Sequence, residues 1–523
     1  MLCPKAPLDT KRQPKWPLDR CKLSATKLAP VTQLLPHLEA ASELPQAEQI
    51  ANYYREAIES GRLRTGDRLP PIRTVAEAAK VTRTTVQSAY KLLADGGLVE
   101  GTVGRGTTVL RSGAPDESPL SPFALAAMRQ VRDAATPLRT PADKPEVANF
   151  AELNPQDGLF PLNDLRSCID RALRDRGAEL FRYGHPSGLP ELRNLLARRT
   201  GERGASGEQI LVTAGAQQAL DLVLRTLCKP GDAVAVPVPT YHQMIGLLQA
   251  HGLQLVPVPT GPNGIDLAVL EQVLQRGNVR LLYLMPTFHN PTGRTLDTDQ
   301  RVALMELVAR TQVPVLEDEY QSQLRFEGRD EPSLRSLDPR GLTVTVHSFS
   351  KGLFPGLRLG WLHASDAMLA PLGAVKRFMD LETSSLLQAA LVNFVQYGSL
   401  DRYLTRLRSE LAQRHRLVQE QLLARLPEDC TITRAQGGFL LWLELPERVH
   451  GTGAGERLAT LAAERGVLVV PGSAFDPTGR PSNGCRLSVA RVETSQIPSG
   501  CAVLADVARL LVTPPATSNR LLL

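Results

Sequence analysis

The chain runs to 523 residues, 42% hydrophobic and 22% charged, which is too long for one compact core and too evenly mixed for a fibrous or disordered protein. No run reaches the roughly eighteen apolar residues that a membrane-spanning helix needs, so a membrane partner is not expected. Met1–Pro30 is rich in Lys, Arg and Pro but lacks the apolar stretch of a secretory leader, and the expected location is the cytoplasm. The seven cysteines are odd in number and never spaced C-x-x-C, so neither a disulfide framework nor a metal site is expected. The net charge of +6 is local: residues 1–111 hold 17 basic against 11 acidic side chains, and the remainder is neutral. A basic end suits nucleic-acid phosphate, although charge alone decides little.

Residues 1–42 carry many Pro and Lys without a sustained period and read as a flexible extension. Residues 43–110 read as a small domain. Gln46–Ser60 places Ile50, Tyr53, Tyr54, Ala57 and Ile58 on one helical face. A turn at Gly66–Pro71 leads to a short helix over about Ile72–Ala79, and a third helix opens at Thr82, a suitable N-cap. Gly97–Glu100 and Val103–Val109 then look like two short strands joined by a glycine-rich tip. Helix, turn, short helix, recognition helix and β-wing make a winged helix-turn-helix of α+β class. Arg83, Thr84 and Thr85 stand near the start of the recognition helix, the end that enters the major groove, and Arg105 stands on the wing.

The words Gly66-Asp67-Arg68-Leu69-Pro70-x-x-Arg73, Val81-Thr82-Arg83-Thr84-Thr85-Val86 and Gly96-x-Leu98-Val99-Glu100-x-x-x-Gly104-x-Gly106-Thr107 resemble the GntR family of bacterial regulators. That resemblance implies DNA contacts from Arg73, Thr82, Arg83, Thr84, Thr85, Gly104 and Arg105, with double-stranded operator DNA as the partner.

Residues 111–145 mix Pro, Ser, Ala and charge and read as a linker. From 146 to 515 the chain alternates strands and helices, with apolar runs at Ile210–Val212, Ala233–Val238, Leu281–Met285, Val313–Leu316, Thr343–Val346 and Val467–Val470. That alternation predicts an α/β domain with a mostly parallel sheet. Its chemistry centres on Val346-His347-Ser348-Phe349-Ser350-Lys351-Gly352-x-x-Pro355-Gly356-x-Arg358. A lysine in a desolvated pocket at a strand's end becomes a free amine, able to form a Schiff base with an aldehyde. Ser348, Ser350 and Arg358 then suit a phosphate.

Three upstream words belong to the same pocket. Thr213-Ala214-Gly215-Ala216 opens a helix whose N–H groups favour phosphate; Asn290 of Asn290-Pro291-Thr292-Gly293 offers a donor to a ring oxygen; and Glu317-Asp318-Glu319-Tyr320 ends a strand with carboxylates and a phenol. Ligands in such sheets bind beyond the strands' carboxyl ends, where these words fall.

The ordered set resembles fold-type I pyridoxal-phosphate enzymes of the aspartate aminotransferase superfamily over about residues 147–512. By that resemblance the cofactor is pyridoxal 5'-phosphate, carried by Lys351 as an internal aldimine. Asp318 pairs its ring nitrogen, Asn290 and Tyr320 bond its phenolic oxygen, and Tyr241 stacks on the ring. Gly215, Ala216, Ser348, Ser350 and Arg358 form the phosphate cup, Tyr183 reaches a partner subunit's phosphate in a homodimer, and Arg486 binds a substrate carboxylate. Lys351, Asp318 and Tyr320 are the catalytic set the resemblance implies.

A GntR-type head on such a body is similar to the MocR subfamily, which implies a transcription regulator sensing pyridoxal phosphate or an amino compound. The alternative is a working aminotransferase with a DNA-binding head; a third reading makes the body only a dimerisation scaffold. Two departures stand out: His347 occupies a place where glycine is usual, and Gln243 a place where GABA-sensing members carry a second arginine, so GABA is not inferred as effector.

Overall fold

The computed structural model describes residues 44–59, 62–63, 67–95, 98–102 and 106–110 of the head, three positions just before it, and residues 147–512 apart from 262–263, 448 and 450–452. The expected extension at 1–42 lies almost wholly, and the expected linker at 111–145 wholly, outside the described residues, as do Gly104 and Arg105. The chain divides into two compact units at residue 125, each with its own core.

In the first unit the helices Gln46–Glu59, Ile72–Ala79 and Arg83–Asp95 pack through Ile50, Tyr54, Ala57, Val75, Val86, Tyr90 and Leu93, all buried, with Tyr53 half-buried beside them. Each comes from the inward stripe that a 3.6-residue period creates. The tight turn between the second and third helices is made by Lys80, which takes a left-handed conformation and donates its N–H back to Ala76 O. Thr82 then caps the third helix, its Oγ1 accepting from Thr85 N at 3.2 Å. The Tyr90 hydroxyl donates to Pro70 O at 2.6 Å, tying the recognition helix to the preceding turn. The wing strands Val99–Thr102 and Gly106–Val109 pair antiparallel, with Val99 opposite Val109 and Thr102 opposite Gly106.

The second unit is built on an eight-stranded sheet in the order Ile210–Thr213, Gly360–His363, Thr343–Ser348, Val315–Asp318, Val279–Leu284, Ala233–Val238, Gln254–Gly261, Gly264–Ile265. The consecutive strands from Thr343–Ser348 to Gln254–Gly261 are parallel. Gly360–His363 runs antiparallel to both neighbours, and Gly264–Ile265 runs antiparallel at the far edge. Helices cover both faces, so the central strands are apolar almost throughout. One expected strand breaks in two: Val467–Leu468 pairs with Ala148–Asn149, whereas Val470–Pro471 joins an antiparallel four-stranded sheet that carries Arg486. A run of valines fits either partner, and only the tertiary neighbours decide where it divides. No helix among the described residues is long and apolar enough to cross a membrane.

Candidate functional site

The pocket forms where chain direction leaves it: beyond the carboxyl ends of the parallel strands. Val315–Asp318 delivers Asp318 and Tyr320, Thr343–Ser348 delivers Ser348, and the single helical turn Phe349–Gly352 that follows holds Ser350 and Lys351. These residues line a cavity of about 180 Å³ with Ala216, Gln217, Tyr241, Gln243, Pro355 and Arg358.

The phosphate end is shaped by backbone. Gly215, at φ +94°, precedes the helix Ala216–Leu227, and an added Cβ there would lie 2.9 Å from Arg358 Nη2. Arg358 itself sits at φ +49°, a conformation that costs a side-chain-bearing residue on the order of 1 kcal/mol. That turn brings its guanidinium back over the loop, where Nη2 donates to Ala214 O at 3.0 Å. Gly360 makes the close approach feasible, since a Cβ there would stand 2.8 Å from Gly215 C and from His347 O. Ser348 Oγ accepts from Ser350 N at 3.1 Å. The helix N-terminus, two serines and an arginine make a dianion seat of neutral donors and one fork-shaped cation.

The ring end holds buried groups with unspent capacity. Asp318 is fully buried; its Oδ2 accepts from the Tyr283 hydroxyl at 3.1 Å, while Oδ1 has no hydrogen-bond partner among the described residues. Burial pushes this carboxyl up to about 7, the Tyr283 hydrogen bond holds it down, and neighbouring Glu319 pushes it up again. Asn290 is buried with Nδ2 unpartnered among the described residues, and Arg486 is buried with Nε likewise unpartnered. Arg486 Nη1 donates to Asn290 Oδ1 at 3.3 Å and Nη2 to Ala151 O at 2.8 Å, and its guanidinium lies 5.0 Å over the Phe475 ring. Burial brings the arginine down to about 10. The Tyr320 hydroxyl accepts from Gln321 Nε2 at 2.5 Å, and the Tyr241 hydroxyl bonds Gln243.

Lys351 Nζ donates to Leu153 O at 3.0 Å and Asn154 Oδ1 at 3.2 Å. Burial, with Arg486 nearby, lowers its amine to about 8. Roughly a tenth of the amine is therefore neutral at pH 7, with a lone pair to give to an aldehyde carbon.

Orphaned acceptor, orphaned amide donor, low-pKa amine and phosphate seat are the complement of a phosphorylated pyridine aldehyde, so the residues present fit pyridoxal phosphate. One expected site residue lies apart, and two fall outside the described residues. Tyr183 is 82% exposed outside the cavity, and Gly104 and Arg105 are beyond the described residues. Tyr283, Leu153 and Asn154 were invisible to sequence reasoning. Tyr283 alone leaves a signal: a tyrosine inside the buried run Val279–Leu284 has to find its hydroxyl a partner.

In the head, Arg83 and Thr84 are exposed on the first turn of the recognition helix, and Thr82 and Thr85 join through their hydroxyls at 2.8 Å. Arg73 is exposed but paired with Glu77 at 2.9 Å.

Residues 148–504 match the family described as aminotransferase class I and II, and residues 46–109 match the bacterial regulatory proteins of the gntR family. The chain is 33% identical over 440 residues to the uncharacterized HTH-type transcriptional regulator YdcR of Escherichia coli, covering 82% of this chain and 91% of that one. It is also 33% identical over 360 residues to the 2-aminoadipate transaminase of Thermus thermophilus, covering 68% of this chain and 89% of that enzyme. The crystal structure of LysN, the α-aminoadipate aminotransferase of Thermus thermophilus complexed with N-(5'-phosphopyridoxyl)-L-leucine, superposes with a TM-score of 0.64 at 30% identity, covering 74% of this chain and 95% of that one. The body alone would leave the chain among the transaminases and the head alone among the GntR regulators; joined in this order, they make it a member of the MocR subfamily of GntR transcription regulators, with a pyridoxal-phosphate-binding body of the aminotransferase class I and II family.

Proposed function

We propose that this DNA-binding regulator reads the supply of pyridoxal phosphate, alone or joined to an amino compound, through Lys351, and that the occupied state re-spaces two heads on operator DNA. The observation that carries this reading is the lowered amine of Lys351 beside unspent ring-holding groups, on one chain with an exposed recognition helix. The cofactor supplies an aldehyde and an electron-accepting ring. Lys351 supplies the nucleophile, Arg358 and the Gly215 turn hold the phosphate, and Asp318 holds a proton on the ring nitrogen. Arg486 offers a carboxylate-binding cation to an amino acid that enters. A ligand shifts a two-state body only by the difference in its affinity for the two states, so the effector is whichever amine the closed pocket holds more tightly.

A homodimer follows from the same reading. Phe181, Tyr183, Phe378 and Leu381 are 71%, 82%, 91% and 53% exposed, an apolar set that a second copy would cover. Two heads would then address two half-sites, in the cytoplasm where the DNA is.

The test is a titration of the full chain with pyridoxal phosphate, following visible absorbance and binding to the DNA upstream of its own gene together. Absorbance and DNA affinity or footprint moving together is the expected result; an absorbance change with indifferent DNA binding overturns it. That outcome favours the second reading, a working transaminase, which draws on Arg486 standing in contact with Asn290. Amino-donor conversion would then be the assay.

The pH dependence of cofactor capture follows from the amine. Only neutral Lys351 attacks an aldehyde, so the capture rate measured by stopped-flow absorbance is expected to rise about tenfold per pH unit below about 8 and level off above it. A rise continuing unchanged to pH 10 would mean the amine is not desolvated.

A further inference from the structure

We propose that the body carries a second ligand site, on the face of the sheet opposite the cofactor, which binds a compact oxyanion, a carboxylate or phosphate group, between Arg325, Arg408 and the ring of His347. Successive residues of a strand point to opposite faces, so where Ser348 faces the cofactor cavity His347 faces away. There it borders a separate pocket of about 280 Å³, walled also by Trp361, Gln323, Glu319 and the end of the helix Pro190–Arg199.

His347 is the departure from glycine noted in the sequence. Its ring lies flat on Trp361, the centroids 3.8 Å apart and the planes within 16°. The ring nitrogens make no hydrogen bond among the described residues, although the residue is only half-buried and borders the pocket. Burial lowers its pKa to about 3, so it stays neutral and offers one N–H.

The arginines have more donors than acceptors. The Arg325 side chain is 8% exposed; Nη1 donates to Gln436 Oε1 at 2.9 Å and Glu327 O at 3.4 Å, and Nη2 has no partner among the described residues. Its Nε lies 3.1 Å from Asp330 Oδ1, but that carboxylate is 89% exposed and therefore well screened by water. Burial accordingly lowers the guanidinium's pKa, the mark of a cation incompletely compensated. Arg408 spends only Nε, on Gln323 O at 2.8 Å, and its two terminal nitrogens have no partner among the described residues.

Three acids also line the pocket and keep their charge: Asp330, the exposed partner of Arg325, with Glu319 and Glu331. Glu319 accepts from Thr287 Oγ1 at 2.8 Å and pairs with Arg301 at 3.9 Å; Glu331 accepts from Thr298 Oγ1 at 2.5 Å; Arg199 is matched by Asp401 at 2.9 Å. What remains unspent is donor capacity from two planar guanidinium groups and a neutral imidazole, which suits an oxyanion bound bidentately. The wall is shared with the cofactor site through the His347–Ser348 and Asp318–Glu319 peptides, so an occupant here presses on the phosphate seat and the ring-nitrogen partner together.

The test uses the full chain saturated with pyridoxal phosphate, which fills the phosphate seat at Arg358. Inorganic phosphate and malonate are titrated separately by calorimetry at constant ionic strength, on the parent protein and on Arg408→Gln and His347→Gly. Saturable binding of at least one anion, one per chain, weakened tenfold or more in both variants with the visible spectrum of the bound cofactor retained, is the expected result. The anion that binds identifies the source of the oxyanion. No saturable heat with either anion overturns the proposal. So does binding that survives both substitutions, as it would for malonate taken up at Arg486 or phosphate on the head.

Discussion

Lys351→Ala is expected to abolish the visible absorbance of the cofactor-bound protein, together with any cofactor fixed to the chain by borohydride reduction. Alanine leaves Arg358, the Gly215 turn and Asp318 in place, so pyridoxal phosphate still enters, but as a ligand removable by dialysis. The loss is complete rather than graded because no other lysine lines the cavity among the described residues. Lys376, fully buried, is tied to Asp380 at 2.8 Å in a separate helix. In the regulator the same substitution uncouples the two halves: DNA binding persists but no longer responds to pyridoxal phosphate. A retained visible band would sink the lysine assignment, and a retained DNA response would place sensing in non-covalent occupancy.

Much of this pocket was legible because its words are local. Ser348, Ser350, Lys351 and Arg358 fall within eleven residues of a strand end, and Asp318 and Tyr320 terminate the neighbouring strand. Local words encode which residues a turn presents. They do not encode what comes from far along the chain to meet them. Leu153 and Asn154 hold the Lys351 amine from almost two hundred residues away, and Arg486 is set against Asn290 from a different sheet. Tyr283 reaches Asp318 only because the strands Val279–Leu284 and Val315–Asp318 are neighbours, a pairing fixed by topology. The antiparallel strand Gly360–His363 was hidden for a related reason. Four residues buried on both sides carry no alternation, and Gly360 matters for the absence of a Cβ rather than for a pattern. In the head the inward face of the first helix (Ile50, Tyr54, Ala57 and Ile58) was legible, since a helix writes its buried face into its own 3.6-residue period, whereas Leu63, Leu69, Val75 and the wing residues Val99 and Val109 were not.

Arg83→Ala is expected to weaken operator binding roughly 10- to 100-fold while leaving cofactor capture untouched. Arg83 is the first residue of the recognition helix, exposed, and forms no ion pair among the described residues, so its guanidinium is available without breaking another contact. Arg73 differs in that Glu77 already holds it, but an exposed pair is worth only about 0–1 kcal/mol and yields readily to a phosphate. The two arginines are therefore separable by how their loss reads out. If Arg83 bonds a guanine edge, the loss falls on the cognate sequence and binding to unrelated DNA hardly changes. If it bonds phosphate, all sequences weaken alike and the slope of log affinity against log salt drops by about one. The Thr82 hydroxyl is committed to the helix cap, whereas Thr84 is exposed beside Arg83, so base discrimination on this turn rests on Arg83 and Thr84. An unchanged gel-shift affinity in Arg83→Ala would remove this helix from the groove, and the wing would then have to carry recognition.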